Sequence, residues 1–374
     1  MMIYAQREPL AELWNTSNDQ IPVLLAIEAN LTMVDEILKP LLEVHSTSFG
    51  GTYINVIMNR IIINTVDYTK VDIIKSGMES CKHLFIFKNV TNSLTTLRNS
   101  FDQISKRAKS LRPLSIACFI DVELNNIVLY LWRVNNQQNR EFLEAIEPYN
   151  VTKRFFDQPS GSPPDTDTDV DDLTIRDITT PILGGDGIIN RDENKQCSVG
   201  YWAKSKDLKT NYVYIQPSNW VYDEKQFSTV RRTENFKLVT AIRNVDSEND
   251  ELIIYDDKAV SSYGAHICKS GYTTHVTCGF IKGFNGIYTN LKNQFKSQII
   301  FSTAKVSRGD SGGSVFSYKQ NLRHVSLNGI TIMGVEVLGS LNDYIHGYLP
   351  IKTISKEFQL IPVLAGDSDS TSTN

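Results

Sequence analysis

The chain has 374 residues, of which 41% are hydrophobic, 10% aromatic and 21% charged, a composition that excludes a disordered or fibrous protein and is long enough for two ordinary cores. With 38 basic and 42 acidic residues the formal charge is -4, which gives no general electrostatic case for nucleic acid or an anionic membrane as partner.

No apolar run reaches the roughly 18 to 20 residues that span a bilayer. The opening MMIYAQREPLAELW lacks the basic-then-apolar order of a signal peptide, so the sequence assigns no compartment. Sequons at Asn15, Asn30, Asn89 and Asn150 carry meaning only in a secreted chain.

Leu24, Leu25, Ile27, Leu31, Val34, Ile37, Leu38, Leu41 and Leu42 recur at helical spacing and predict an amphipathic helix over residues 21–45. Leu94, Leu97, Phe101, Ile104 and Ala108 predict a second over 93–108. The β-branched runs GTYINVIMNRIIINTV and SIACFIDVELNNIVLYLWRV read as hairpins that turn near Asn59 and at Asn125-Asn126. Residues 1–156 are therefore expected to form an α+β domain.

Residues 157–181, DQPSGSPPDTDTDVDDLTIRDITTP, exchange core-forming residues for Pro, Gly, Ser and Asp, the composition of an exposed acidic linker. Asp165, Asp167, Asp169 and Asp171 alternate like the start of a calcium loop, but Val170 stands where that loop needs Gly and Arg176 where it needs Glu. No metal site or cofactor is expected.

Beyond the linker short strand-like runs follow one another: NYVYIQ, FKLVTAI, ELIIYD, HVTCGFI, QIIFSTAKV, SVFSY, ITIMGVEVL and YIHGYLPI. Such spacing predicts an all-β antiparallel barrel or sandwich over residues 182–364. KTISKEFQLI reads as a closing helix, and residues 365–374 as a polar tail.

Within this half stands Arg308-Gly309-Asp310-Ser311-Gly312-Gly313-Ser314. At average residue usage GDSGG arises by chance about once per thousand proteins of this length or less often. A serine nucleophile needs a tight, unobstructed turn, which the glycines supply, and the N–H groups of Gly309 and Ser311 would form an oxyanion hole.

At this point the sequence resembles the chymotrypsin-like serine proteases of the streptogrisin and α-lytic type, which carry an N-terminal pro region. Ile182-Leu183-Gly184-Gly185-Asp186 is similar to their mature N-terminus and Cys197-Ser198-Val199-Gly200-Tyr201 to their first strand. Residues Cys268 to Gly279, CKSGYTTHVTCG, are similar to their CxSGxTTGxxCG hairpin, with His275 where Gly is usual. Phe49–Ile54 and Phe119–Val128 are similar to strands of the pro region. The resemblance implies two six-stranded antiparallel β-barrels, an α+β pro-like domain, and an active site between the barrels.

The family's histidine position falls on Pro217, in YVYIQPS, and its aspartate position on Asn235, beside Glu234. The six histidines, His45, His83, His266, His275, His324 and His346, leave none between residues 84 and 265, so no register shift supplies a base. A serine hydroxyl without a base is a poor nucleophile, and loss of the histidine alone costs on the order of 10⁶ in turnover. Rescue would fall to His266, His275 or a lysine, all of which read as exposed strand or turn residues. Lys305 lies near the implied specificity pocket.

Cys268 and Cys278, at opposite ends of one hairpin, form the expected disulfide. The family partner of Cys197 falls on Ser218, and Cys81 and Cys118 are open to being thiols or a bridge. The resulting expectation is a serine protease homologue that keeps Ser311 without its base. Its implied partners are a peptide or protein in the inter-barrel cleft and its own pro-like domain; the alternative is an active endopeptidase with an unusual base.

Overall fold

The computed structural model describes residues 7–132, 137–156, 180–190, 195–205, 211–215, 228–231, 236–245, 247, 249–337 and 343–366. The first half holds α1 (Pro9–Leu13), α2 (Ile21–Val44), β1 (Phe49–Asn55), β2 (Arg60–Thr65), α3 (Val71–Gly77), β3 (Phe85–Asn89), α4 (Leu94–Leu111), β4 (Ile116–Asp121), β5 (Asn126–Trp132), α5 (Gln137–Ile146) and β6 (Thr152–Phe156). Both predicted hairpins form, and Asn59 and Asn125 take the left-handed conformation at their turns, φ 50° and 52°. Ser93 caps α4 by accepting the Thr96 N–H at 3.1 Å, and left-handed Arg112 ends it. On α2 the buried stripe contains two carboxylates, Glu28 and Asp35, among Ile21, Leu25, Leu31, Val34, Leu38 and Leu42.

The second half continues with β7 (Thr180–Gly184), β8 (Gly187–Asn190), β9 (Lys195–Ser205), β10 (Asn211–Ile215), β11 (Ser228–Arg231), β12 (Phe236–Arg243) and β13 (Glu251–Asp256). Then come β14 (His266–Gly271), β15 (His275–Thr289), β16 (Phe295–Ser302), β17 (Ser314–Tyr318), β18 (His324–Glu336) and β19 (Tyr344–Pro350), closed by α6 (Ile351–Glu357) and β20 (Leu360–Pro362). Pairing in the order β14, β15, β16, β19, β18, β17 and back to β14 is antiparallel throughout, so six strands close into a barrel. Of the other strands, β9 pairs with β8, β10 and β20, and β10 also with β11, while β12 pairs with β7 and β13, and β13 runs parallel beside β18 so that these three continue the barrel's sheet. Among the described residues these do not close into a second ring.

The two halves are not separate bodies. β4 pairs antiparallel with the far end of β15, Ile116 opposite Thr289 and Cys118 opposite Ile287, so the first half's β4–β5–β6 sheet runs on into the barrel. Phe119 stacks on Phe301 at 4.7 Å across the join, and a Cβ on Gly283 would collide with the Phe119 ring. A single buried cluster contains Leu10, Leu31 and Phe119 from one half and Phe301, Phe316 and Leu327 from the other.

Ile182, the residue similar to a mature N-terminus, sits inside β7 opposite Leu238. Cys268 and Cys278 face each other across β14 and β15 and are bonded, with Cα atoms 4.0 Å apart. Cys81, Cys118 and Cys197 are free thiols; burial pushes the Cys197 thiol up to about 11. Among the described residues no helix is long and apolar enough to cross a membrane.

Candidate functional site

The glycine-rich turn joins β16 to β17, as its position in the sequence suggests. Two of its glycines are indispensable for different reasons. Gly309 adopts φ +97°, which strains any L side chain, and a Cβ on Gly313 would collide with the carbonyl of Ser270. Gly312 N–H donates to Thr331 O at 2.8 Å and Thr331 N–H to Gly313 O at 3.0 Å, so β18 holds the turn from one side. From the other side β9 holds it: Ser198 Oγ donates to Gly309 O at 2.7 Å and Ser198 N–H to Ser311 O at 2.9 Å.

Beneath the turn Asp310 is fully buried and gathers donors. Thr273 and Thr274 N–H reach Oδ1 at 2.9 Å each; Ser307 N–H at 2.9 Å, Thr274 Oγ1 at 2.6 Å and Lys269 Nζ at 3.1 Å reach Oδ2. Burial alone would raise the Asp310 carboxyl, but the Lys269 charge and these hydrogen bonds outweigh it and hold the group below the usual carboxylate value. Lys269 is equally buried, and burial lowers it to about 8 against the pull of Asp310. Its three ammonium protons are placed on Asp310, Thr274 Oγ1 and the His275 carbonyl. Sequence reasoning gave Lys269 no role; its only signal was a lysine beside a half-cystine within a strand.

Ser311 is half-buried. Among the described residues its hydroxyl has no hydrogen-bond partner, and neither its N–H nor that of Gly309 has an acceptor. Past Thr331 the outer edge of β18, Ile332–Glu336, has no strand beside it among the described residues, since β17 pairs only as far as Ile330. An open strand edge thus leads to three unpartnered donors. Exposed Arg308 and Lys305 flank the turn; the Lys305 ammonium lies 5.8 Å from the Tyr344 ring centre. Val306 packs against Gly334, where a Cβ would collide with it.

Pro217 and Asn235, the residues at the histidine and aspartate positions, lie outside the described residues. All six histidines lie within them, and none is hydrogen-bonded to Ser311. His266 reverses the expectation of an exposed strand residue: it is 3% exposed. Its N–H donates to Glu28 Oε1 at 2.7 Å, its Nδ1 meets Glu28 Oε2, and its Nε2 accepts the Tyr318 N–H at 2.9 Å. That acceptor role places the ring proton on Nδ1. Its Glu28 partner comes from α2, so His266 serves the junction of the halves. His346 is buried in the barrel between Ser302 Oγ at 2.9 Å and Thr331 Oγ1 at 3.1 Å. Burial, helped by the Lys269 charge, lowers it to about 3 and keeps it neutral.

His275 is exposed at φ +49°, the left-handed conformation that explains why glycine is usual there. His324 bonds Asn321 and stacks on Tyr255. His45 ends α2 and His83 lies in a helical turn before β3.

The junction of the halves is also polar. Asp35 accepts Thr52 Oγ1 and Ser262 Oγ at 2.6 Å each and pairs with Lys39 at 2.7 Å. A cavity of about 740 Å³ opens nearby, lined by Arg98, Phe101, Ile120, Tyr263 and Phe284 among others. No group of three or more metal-ligating side chains occurs among the described residues.

No protein-family model and no curated protein matches the sequence. Among solved structures the chain is similar to bacterial chymotrypsin-like serine proteases over half its length. Protease A of Thermobifida fusca aligns with 18% identity and a TM-score of 0.40, covering 50% of this chain and 100% of that one. The Cellulomonas bogoriensis chymotrypsin gives 19%, 0.38, and 49% against 99%. A glutamic acid specific serine protease described as using a histidine triad in substrate binding gives 17%, 0.39, and 49% against 100%.

Proposed function

We propose that this chain is a non-catalytic homologue of the serine proteases that binds an extended peptide, or an exposed segment of a protein, at the Ser311 turn. The observation that carries this reading is a supported turn whose Ser311 hydroxyl has no hydrogen-bond partner among the described residues, with none of the six histidines hydrogen-bonded to it. Attack by a serine hydroxyl requires removal of its proton, and the nearest buried cation, Lys269, spends its protons on Asp310, Thr274 and His275. Binding has what it needs without that step. An extended chain laid along Ile332–Glu336 would gain main-chain hydrogen bonds by strand addition and end at the donors of Gly309 and Ser311.

A second reading, an endopeptidase with an unusual base, is favoured by the turn itself, whose glycines and buried ion pair would be under no catalytic constraint in a binding protein. Peptidase turnover of the full-length chain separates the two on a mixed peptide substrate, with Ser311→Ala as control. The binding reading expects equal background from both proteins. Turnover in the wild type that Ser311→Ala abolishes would overturn it.

A further inference from the structure

We infer that the cavity at the junction of the halves is a binding site for a small, largely apolar molecule that carries one positive charge. No residue of the Ser311 turn lines it, so the inference stands apart from the reading of that turn. Its volume of about 740 Å³ falls within the roughly 300 to 1,000 Å³ of small-molecule sites. α2, α4, β1 and β4 wall it on one side and β15, β16 and the loop before β14 on the other, so it exists only where the halves meet. Its most deeply buried lining is apolar, from Phe49, Phe101, Ile120 and Ile287. On the barrel side Tyr263 and Phe284 meet edge to face at 4.8 Å.

Two features distinguish this space from loose packing. The first is its barrel-side wall, where β15 and β16 shift register between Gly283 and Tyr288, and where Asn285 and Gln298, both lining the cavity, adopt left-handed φ of 53° and 61°. Bulges of this kind re-aim strands beside functional sites. The second feature is charge. Of the lining cations, Lys39 pairs with Asp35 and Arg98 with Glu43, whereas exposed Asp102 has no ion-pair or hydrogen-bond partner among the described residues. Each cation is matched and one carboxylate is left over, so a cationic head is attracted and an anionic one repelled. The aromatic lining adds to that preference, since the faces of Phe and Tyr rings attract a ligand cation.

The test uses three fluorescent probes that share one apolar body: pyrenylmethylamine, pyrenylmethanol and pyrenecarboxylate. Each is dialysed to equilibrium against the full-length chain at neutral pH, where the first is a cation and the last an anion. An exposed ion pair is worth roughly threefold in affinity, so the amine should bind about threefold more tightly than the alcohol and about tenfold more tightly than the carboxylate. Asp102→Asn should bring the amine down to the alcohol and leave the alcohol unchanged. Ser105→Trp, which puts a large ring into the cavity from α4, should weaken all three at least about tenfold. Thermal unfolding checks that the variants fold; if Ser105→Trp does not, the wild type and Asp102→Asn decide. Equal affinity for the three probes, a preference for the carboxylate, or binding of none overturns the inference. So does an amine preference that survives Asp102→Asn, or binding that survives in folded Ser105→Trp.

Discussion

Two of the carboxylates buried among the described residues, Asp310 and Glu28, serve different ends. Asp310 draws its donors from residues 269–307, all within or beside the six-stranded barrel, and fixes a turn. Glu28, on a helix of the first half, has its partner His266 at a sequence distance of 238 residues and fixes one half to the other. The site is therefore locally determined, whereas the join depends on chain brought from far away. Damage to the first should stay confined to the turn; damage to the second should loosen the whole molecule.

Removing residues 1–156 is the most severe way to break this contrast. It would bare the edge of β15 at Ile287–Thr289, strip Phe301 of Phe119 and leave His266 without Glu28. The remaining fragment is expected to show no cooperative unfolding transition by circular dichroism, and a sharp transition would show the halves to be independent.

Lys269→Met comes next. Leaving one member of a buried pair uncompensated costs about 3 to 5 kcal/mol. Chemical denaturation should show that loss, with amide exchange at residues 307–313 accelerated more than at the β4–β15 join. Glu28→Gln keeps a hydrogen-bonding group and is expected to cost less, about 1 to 3 kcal/mol, with exchange accelerated at the join instead. Identical exchange patterns in the two variants would erase the distinction.

The third probe is acid. His346 is lowered to about 3 in the folded chain, so between its ordinary value near 6.5 and about 3 the unfolded chain binds a proton that the folded chain refuses. Its contribution to stability is complete above that window and is lost as pH falls through it, to the extent of a few kcal/mol. His346→Gln should flatten the part of the acid-unfolding curve below pH 6; an unchanged curve would remove His346 from the account.

What was legible in the sequence follows the same division. The GDSGG turn, the Cys268–Cys278 bridge and the hairpins at Asn59 and Asn125 are written in neighbouring residues, through glycine geometry, strand spacing and tolerance of the left-handed conformation. Glu28 and Asp35 were not legible, because a carboxylate in an apolar helical stripe reads as a solvated interruption until its partner, 238 residues away for Glu28, is known. His266 misled for the same reason. The full 15 residues of β15 were also hidden, since Gly283 and Gly286 read as strand breakers, whereas here they make room for the rings of Phe119 and Phe301. The helices α3 and α5 are too short to show periodicity; α5 buries only Asn139, Phe142 and Ile146.

The central claim, a presented serine with no base, is tested most directly by covalent chemistry at that serine. The full-length chain and Ser311→Ala are incubated with a fluorophosphonate, and modification of residue 311 is followed by intact mass and peptide mapping. The account predicts indistinguishable, near-zero incorporation in both. Rapid labelling of the wild type at Ser311, absent from Ser311→Ala, would contradict it and show that some group activates the hydroxyl.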